Sequence, residues 1–263
     1  MHYKIRYECL SHIGNVRKMN QDNFVCSGQY MAPGGAPLSF LPGGMKDSKD
    51  NAVFGIFDGM GGQECGEMAA WIAAKHASEI LPGKYPGEEL FHFCHKANRE
   101  ICAYAEEQGV MAMGTTAALL VFTPKGITLC NLGDSKIYRL RKGSLDQLSE
   151  DHVANFSYGR KAPLTQNLGI PPEILTIEPY LAQGNCYYGD QYLLCSDGLT
   201  DMVSAEEIRE ILCTSKPKEA MKLLLDKALA RGGRDNITII LCEIRRPSGG
   251  LFDRLCRRKR REV

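Results

Sequence analysis

The chain has 263 residues, of which 44% are hydrophobic and 24% are charged, as in an ordinary globular protein. The net charge of +1 predicts no partner, and the odd set of eleven cysteines contains no Cys-x-x-Cys pair, which argues against a secreted disulfide scaffold. We expect a cytoplasmic protein, because the first ten residues carry charged side chains and no apolar run reaches membrane-spanning length.

Positive charge is concentrated at the C-terminus. Residues 245–263 contain eight Lys or Arg residues and two acids, a net charge of +6, whereas the rest of the chain carries −5. We therefore expect one domain over residues 1–245, followed by a basic tail at 246–263. Such a tail is usually a solvated end. Apolar residues within it, such as Phe252, would also allow weak binding to an anionic membrane surface or an acidic partner.

The first third of the chain predicts a sheet with one long excursion. Alternation predicts a strand over residues 3–9, and a second strand is predicted over 24–30. Residues 31–51 are rich in Gly, Pro and Ser and lack periodicity, so we expect a long hairpin insertion there. The apolar run 52–57 is predicted to pair back into the sheet.

Helices and further strands alternate in blocks along the remainder. Apolar residues spaced three and four apart predict helices over residues 62–80 and 88–108. Later elements are predicted as strands at 115–122, 127–131, 137–140, 145–148, 174–180, 191–195 and 237–244, and as helices at 206–212 and 218–231. This order is not a βαβ alternation. It favours an α+β fold of two antiparallel sheets face to face, with a helix pair outside each, an αββα four-layer sandwich.

Five aspartates lie at the ends of predicted strands. Asp58 ends the run that begins at Val53 and is followed by a glycine-rich turn. Asp134 and Asp197 also follow apolar runs, whereas Asp22 and Asp235 lie just before such runs. A single acid in such a turn is common, but five predict one acidic cluster that holds hard divalent cations such as Mg²⁺ or Mn²⁺.

Six short motifs together resemble a known family. The motifs occur in the family's order and span about residues 10 to 245. They are Gly14–Asn23, Phe57–Gly62, Gly114–Thr116, Gly133–Ser135, Ser196–Asp201 and Asp235–Thr238. In these stretches the chain is similar to the metal-dependent PPM/PP2C Ser/Thr protein phosphatases in their bacterial form. The resemblance implies the αββα sandwich and hydrolysis of phosphoserine and phosphothreonine by a metal-activated water.

The resemblance also implies a ligand set for two ions. Asp58 would bridge them, and the carbonyl of Gly59 would bind the second ion. Asp197 and Asp235 would hold the first ion, while Asp22 would support the second largely through waters.

Two further residues receive roles from the same resemblance. Asp134 together with Asp197 would form a weaker third metal site. Arg17 would bind the substrate phosphate, for which a guanidinium fork is well suited. The expected partners are phosphorylated proteins, the substrates of a Ser/Thr kinase of the same cell, and we expect a monomer that binds no nucleic acid.

The chain departs from the family pattern in three places. Gln21 stands where many eukaryotic members have Glu, and Met60 stands where they have the His proposed as general acid. Methionine cannot donate a proton, so a water, including one at the third metal site, must protonate the leaving group. The family usually carries a helical flap between an Asp-His motif and a Thr-x-x-Leu-Gly stretch. Here the flap is short, because only residues 153–164 separate Asp151-His152 from residues 165–169.

Other interpretations remain beside this one. A catalytically dead scaffold of the same fold would bind phosphoproteins without cleaving them, although such a copy usually loses one of the acids. A partner-switching phosphatase would act on one dedicated phosphoprotein. His92 and His95 lie three apart on a predicted helix and resemble part of a zinc site, but a structural role is favoured there and at His152.

Overall fold

The computed structural model describes residues 1–36, 38–50, 52–60, 65–81, 83–155 and 162–247. The strands within them are β1 (Lys4–His12), β2 (Asn23–Cys26), β3 (Leu38–Asp47), β4 (Ala52–Phe57), β5 (Gly59–Met60), β6 (Gly114–Thr115), β7 (Ala117–Thr123), β8 (Gly126–Leu132), β9 (Lys136–Arg141), β10 (Ser144–Gln147), β11 (Tyr180–Gly184), β12 (Gln191–Cys195) and β13 (Ile237–Arg245). The helices are α1 (Gly66–Ser78), α2 (Pro86–Gln108), α3 (Asp197–Thr200), α4 (Ala205–Thr214) and α5 (Pro217–Ala230).

Two antiparallel sheets form the centre of the fold, as the order of elements predicted. The six-stranded sheet has the order β10-β9-β12-β13-β1-β3, and the five-stranded sheet has the order β11-β8-β7-β4-β2. Strands β5 and β6 form a separate two-stranded ribbon. The described strand pairs of both large sheets are antiparallel.

Three hydrophobic cores separate four layers. Helices α1 and α2 pack on the outer face of the five-stranded sheet, and α4 and α5 pack outside the six-stranded sheet. Between the sheets, the Phe122 ring lies 5.8 Å from Phe54 and 5.4 Å from Tyr192, centroid to centroid. Strand β4 is buried on both faces, which explains its unbroken apolar sequence. The αββα sandwich is therefore confirmed.

The predicted insertion at residues 31–51 is wrong in part. Strand β3 lies within it and pairs with β1 at the edge of the six-stranded sheet, with a bulge between Tyr7 and Cys9. A Cβ on Gly43 would lie 2.3 Å from Glu8 Oε2, and one on Gly44 would lie 2.3 Å from the Tyr7 hydroxyl. The glycines that hid the strand periodicity thus lie where side chains of β1 cover the backbone of β3.

The strand predicted over residues 174–180 is also wrong. Ile174 and Leu175 are exposed, and both of their amides donate to the carbonyl of Pro171 in a turn. The strand begins only at Tyr180, where β11 pairs with β8. Apolar composition suggested a strand at a place where the backbone instead forms a turn.

Other boundaries shift by a few residues. Helix α1 begins at Gly66 after the left-handed Cys65, and the predicted start at 62 lies outside the described residues.

The flap is described only at its two ends, where Val153 and Leu164 form an antiparallel bridge. Of the basic tail, only residues 246 and 247 are described. No described helix is both long and apolar enough to cross a membrane.

Candidate active site

Strand register brings Asp22 and Asp58 to the same edge of the five-stranded sheet. Asn23 pairs with Phe57 in the β2–β4 ladder, so the next positions in register are Asp22 and Asp58. The Asp58 backbone is held on both sides: its amide donates to Thr116 Oγ1 over 3.0 Å, and its carbonyl accepts from the Thr116 amide over 2.9 Å. Asp58 thus stands on a fixed strand end, as a ligand-bearing backbone requires.

The six-stranded sheet supplies the opposite half of the site. Lys136 pairs with Cys195 at the end of the β9–β12 ladder, and Asp134 and Asp197 each lie two residues beyond that pair. Asp197 opens the short helix α3, directly after the extended Ser196. A Cβ on Gly198 would lie 2.0 Å from the carbonyl oxygen of Asn236, so α3 and the start of β13 meet backbone to backbone.

Asp22 is a buried acid that joins the two sheets. Its side chain is 3% exposed, and its Oδ2 accepts hydrogen bonds from Ser196 Oγ over 2.8 Å and Thr238 Oγ1 over 2.6 Å. Its Oδ1 is buried and accepts no hydrogen bond from any described residue. Burial raises the pKa of the Asp22 carboxyl to about 7, although the two hydroxyl donors oppose that shift.

A buried polar network holds the surroundings of Asp22. Thr238 Oγ1 lies 2.8 Å from Ser11 Oγ, which accepts from Asn20 Nδ2 over 2.8 Å. Asn236 Oδ1 accepts from the Gln21 amide over 2.8 Å, and its Nδ2 donates to the carbonyls of residues 13 and 19. The loop before β2 is therefore tied to the start of β13 by side-chain amides.

Arg17 reaches the same group of acids. Its Nη2 donates to Asp235 Oδ2 over 2.6 Å, and the two side chains are 48% and 33% exposed. This bond is the largest of the effects that raise the pKa of the Arg17 guanidinium, and the carboxylates of Asp58 and Asp22 add to it. The predicted phosphate-binding residue and a predicted metal ligand are thus paired with each other.

Gly59 lies where two backbone segments meet. A Cβ at this position would lie 2.3 Å from the carbonyl oxygen of Gly66 and 2.4 Å from that of Gln21. The next residue, Met60, pairs with Gly114 in the two-stranded ribbon. Gln21 itself donates through Nε2 to Glu67 on α1 over 3.3 Å.

A hollow of about 270 Å³ adjoins this edge and is lined by Gly198, Asp201, Met202, Arg234 and Asp235. Within the described residues, however, no three His, Cys, Asp or Glu side chains are arranged to hold a metal ion as they stand. Asp235 is bound by Arg17, and Asp22 is bound by Ser196 and Thr238.

The histidines singled out in the sequence have structural contacts. His152 Nδ1 accepts from the Gly133 amide over 3.3 Å, and the His152 amide donates to the Gly133 carbonyl over 3.0 Å. These two bonds fix the turn that precedes Asp134. The His95 ring lies 4.4 Å from the Phe91 ring, centroid to centroid.

Sequence reasoning assigned no part to several buried hydroxyl and amide side chains. Ser11, Ser196, Thr238 and Asn236 are at most 4% exposed and position the acids or their loops. Their signal was a polar residue beside or within an apolar run, such as Ser11 near the end of β1. That pattern alone does not reveal which acid each side chain contacts.

Comparison with known proteins adds independent information. The family described as Protein phosphatase 2C matches residues 43–230. "Serine/threonine phosphatase stp" of Listeria monocytogenes is 30% identical over 254 residues, which cover 88% of this chain and 92% of the relative. "Serine/threonine protein phosphatase PstP" of Mycobacterium tuberculosis is also 30% identical over 254 residues and 91% of this chain, which spans only 45% of that relative's length.

Solved structures agree with this similarity. PppA, described as a key regulatory component of T6SS in Pseudomonas aeruginosa, superposes with a TM-score of 0.75 at 27% identity and covers 91% of this chain and 97% of its own. The catalytic domain of PstP, solved in complex with two manganese ions, gives a TM-score of 0.73 at 28% identity. The match covers 93% of this chain and 99% of the PstP domain. With the family match over most of the chain, these similarities show that the chain belongs to the protein phosphatase 2C family of serine/threonine phosphatases.

Proposed function

We propose that the chain hydrolyses phosphoserine and phosphothreonine in proteins at a centre of two Mn²⁺ or Mg²⁺ ions. The observation that carries this proposal is the meeting of Asp22, Asp58 and Asp235 with Arg17 where the two sheets end, in a chain of this family. The two manganese ions bound by the PstP catalytic domain support the number and kind of metal.

The residues fit such ions by their chemistry. Carboxylates and a backbone carbonyl are the hard oxygen donors that Mg²⁺ and Mn²⁺ prefer. A buried acceptor without a partner is unfavourable, and a cation at Asp22 Oδ1 would remove that penalty. Because no three acids of the described residues are arranged to hold an ion as they stand, we expect side chains to turn on metal binding, and the ion would compete with Arg17 for Asp235.

Roles for the ligands follow the family pattern. Asp58 would bridge both ions, and the Gly59 carbonyl would contact the second. Asp197 and Asp235 would hold the first ion. Asp22 would support the second through water, in agreement with the hydrogen bonds that hold its side chain against Ser196 and Thr238. When bound, the ions supply an activated water and neutralise charge on the phosphoryl oxygens.

Arg17 would bind the phosphate of the substrate. Released from Asp235, its guanidinium presents two parallel donors that match two phosphoryl oxygens. Its half-exposed position allows a phosphorylated side chain to reach it from solvent. The leaving alkoxide of a serine or threonine also needs a proton, and Met60 cannot supply one. We assign to Asp134, together with Asp197, the weaker third metal site and a part in delivering this proton.

The substrates would be proteins phosphorylated by a Ser/Thr kinase of the same cell, and the enzyme would act in the cytoplasm as a monomer. The presence of Asp58, Asp197 and Asp235 argues against a dead scaffold that only binds phosphoproteins. The short flap offers little surface for substrate selection, which favours recognition close to the phosphate itself.

The test is hydrolysis of a phosphoserine peptide by the metal-stripped protein, with Mn²⁺ or Mg²⁺ added back and then removed by EDTA. Turnover should require the ions and fall to background in Asp58→Asn, whereas the matched surface variant Asp146→Asn should remain active.

The melting temperature of metal-free Asp58→Asn should be equal to or higher than that of the metal-free wild type, because one negative charge leaves the cluster. Turnover in stripped buffer, or activity of Asp58→Asn near that of the wild type, would refute the proposal. A wild-type protein inert with both ions would support the dead scaffold instead.

A further inference from the structure

A roomy cavity lies at the end of the five-stranded sheet opposite the acids. Its volume is about 840 Å³, which is in the range of small-molecule sites. It is lined by the turn between β7 and β8, the end of β11 and the first turn of α2. Strand β7 runs from the acid-bearing edge to this turn, so the two places are on the order of 20 Å apart.

Three lysines surround this cavity. Lys49, Lys84 and Lys125 all line it and are exposed to solvent. None of them forms an ion pair with another residue in the described part of the chain. One carboxylate, Glu88, also lines the cavity, which leaves a local charge of about +2. The chain before residue 245 carries −5 overall, so the local charge of this cavity is opposite in sign to the net charge of that part of the chain.

The walls of the cavity are fixed by buried contacts. The Tyr3 hydroxyl donates to the Thr123 carbonyl over 2.6 Å and anchors the β7–β8 turn. A Cβ on Gly126 would lie 2.3 Å from the carbonyl oxygen of Gly184, so that turn and the end of β11 are in close backbone contact. The cavity therefore does not depend on the lysine side chains to keep its shape.

The wall also offers a surface for a planar group. The Tyr85 ring is 54% exposed, and Lys84 Nζ lies 5.1 Å from its centroid. Gln183 and Asn185 add side-chain amides that donate and accept hydrogen bonds. Ammonium groups act as point charges that suit phosphate, and an exposed ring suits stacking against a base.

We propose that this cavity is a second ligand site, distinct from the catalytic one, for a small organic phosphate of nucleotide size. The lysines bind the phosphate groups, and the Tyr85 ring packs against the planar part of the ligand. Binding of the ligand at this site requires neither a metal ion nor catalytic turnover.

The probe is ADP, titrated into the full chain by calorimetry in EDTA. Arg17→Ala serves as the background, so that the catalytic phosphate fork does not contribute. Adding Lys84→Glu and Lys125→Glu should weaken ADP binding about tenfold or more, because two favourable charges become repulsive. The matched control adds Lys218→Glu and Lys222→Glu, two exposed lysines on α5, which change the total charge equally and should leave the affinity within about twofold.

A second pair, Lys84→Gln and Lys125→Gln, removes the charges without reversing them and should give a smaller loss. Equal ADP affinity in the cavity and control variants would overturn the proposal, as would the absence of ADP binding to the Arg17→Ala background. The exposed positions of the lysines predict melting temperatures close to that of the background for every variant.

Discussion

Two acids at the candidate site have very different surroundings. Asp22 is almost fully buried, with a pKa raised to about 7 by its burial, whereas Asp235 is one-third exposed and bound to Arg17. The buried acid is fixed by Ser196 and Thr238, so it cannot move far. The exposed acid can exchange its guanidinium partner for a metal ion. Under the proposed function, metal binding by Asp235 and phosphate binding by Arg17 would therefore be linked through one ion pair.

Arg17→Ala should mainly raise KM, by about tenfold or more, because the guanidinium holds phosphate in both the ground state and the transition state. Arg17→Lys is the matched control, since it keeps the charge but loses the paired donors. It should give an intermediate KM. The measurement is steady-state kinetics on a phosphopeptide at saturating Mn²⁺. An unchanged KM in Arg17→Ala would remove this residue from the phosphate site.

Asp134→Ala should reduce kcat on a phosphoserine peptide more than on an aryl phosphate. An alkoxide leaving group needs a proton, whereas an aryl oxide departs without one. Asp146→Asn is the control, because Asp146 is an exposed acid outside the candidate site, whereas Asp190 is buried against Arg141 and its loss would disturb the fold. The ratio of the two kcat values is the readout. Equal losses on both substrates, or no loss on either, would exclude Asp134 from proton delivery.

At the scale of elements, Glu207 joins the start of α4 to the end of α5. It forms a capping box with Ser204, and its carboxylate accepts two bonds of 2.6 Å from Arg231 and one of 2.8 Å from Lys227. The Arg231 bonds, followed by the Lys227 bond, hold the pKa of the Glu207 carboxyl well below its usual range. This helix pair is therefore locked by charge as well as by its apolar face.

Glu207→Gln should lower the melting temperature at neutral pH. Because the folded-state pKa of Glu207 is depressed, its contribution is present above the unfolded pKa of about 4.3 and is lost as pH falls towards the folded value. The difference between wild type and variant should thus shrink below about pH 4. Thermal melts of both proteins from pH 3 to 8 provide the measurement. Glu210→Gln, on the same helix, should show little difference, and a pH-independent gap for Glu207→Gln would contradict the charge explanation.

For the whole molecule, the candidate site depends on how the two sheets pack. Asp22 and Asp58 belong to the five-stranded sheet, whereas Asp197 and Asp235 flank strands of the six-stranded sheet. In the layer between the sheets, Phe122 of the five-stranded sheet contacts Tyr192 of the six-stranded sheet, and Phe54 packs beside Phe122. The relative position of these four acids is thus set by a core that contains none of them.

Phe122→Ala should lower the free energy of unfolding by about 3–5 kcal/mol, since it leaves a large cavity between the sheets. Phe122→Leu should lose less, about 1.5 kcal/mol or under, because most of the volume is kept. Urea denaturation of the metal-free proteins measures both values. Equal losses in the two variants would mean that the ring's volume does not support the sheet contact.

The sequence alone determined the fold class and the candidate acids. Apolar periodicity marked most strands and helices, since a buried face must repeat with the period of its element. The acids were visible because each follows or precedes a buried run, as Asp58 follows β4. The motifs also carried the family resemblance, which the comparisons confirmed.

Only the tertiary structure decided how these residues contact one another. The periodicity of strand β3 was hidden because its glycines lie against side chains of β1, which is distant in sequence. The pairing of Arg17 with Asp235 and the burial of Asp22 between hydroxyls join residues more than 170 positions apart. The three-lysine cavity likewise draws its lining from separate segments. Local patterns report which face of an element is buried, but not which distant side chain meets it, because sheet register and packing fix that contact.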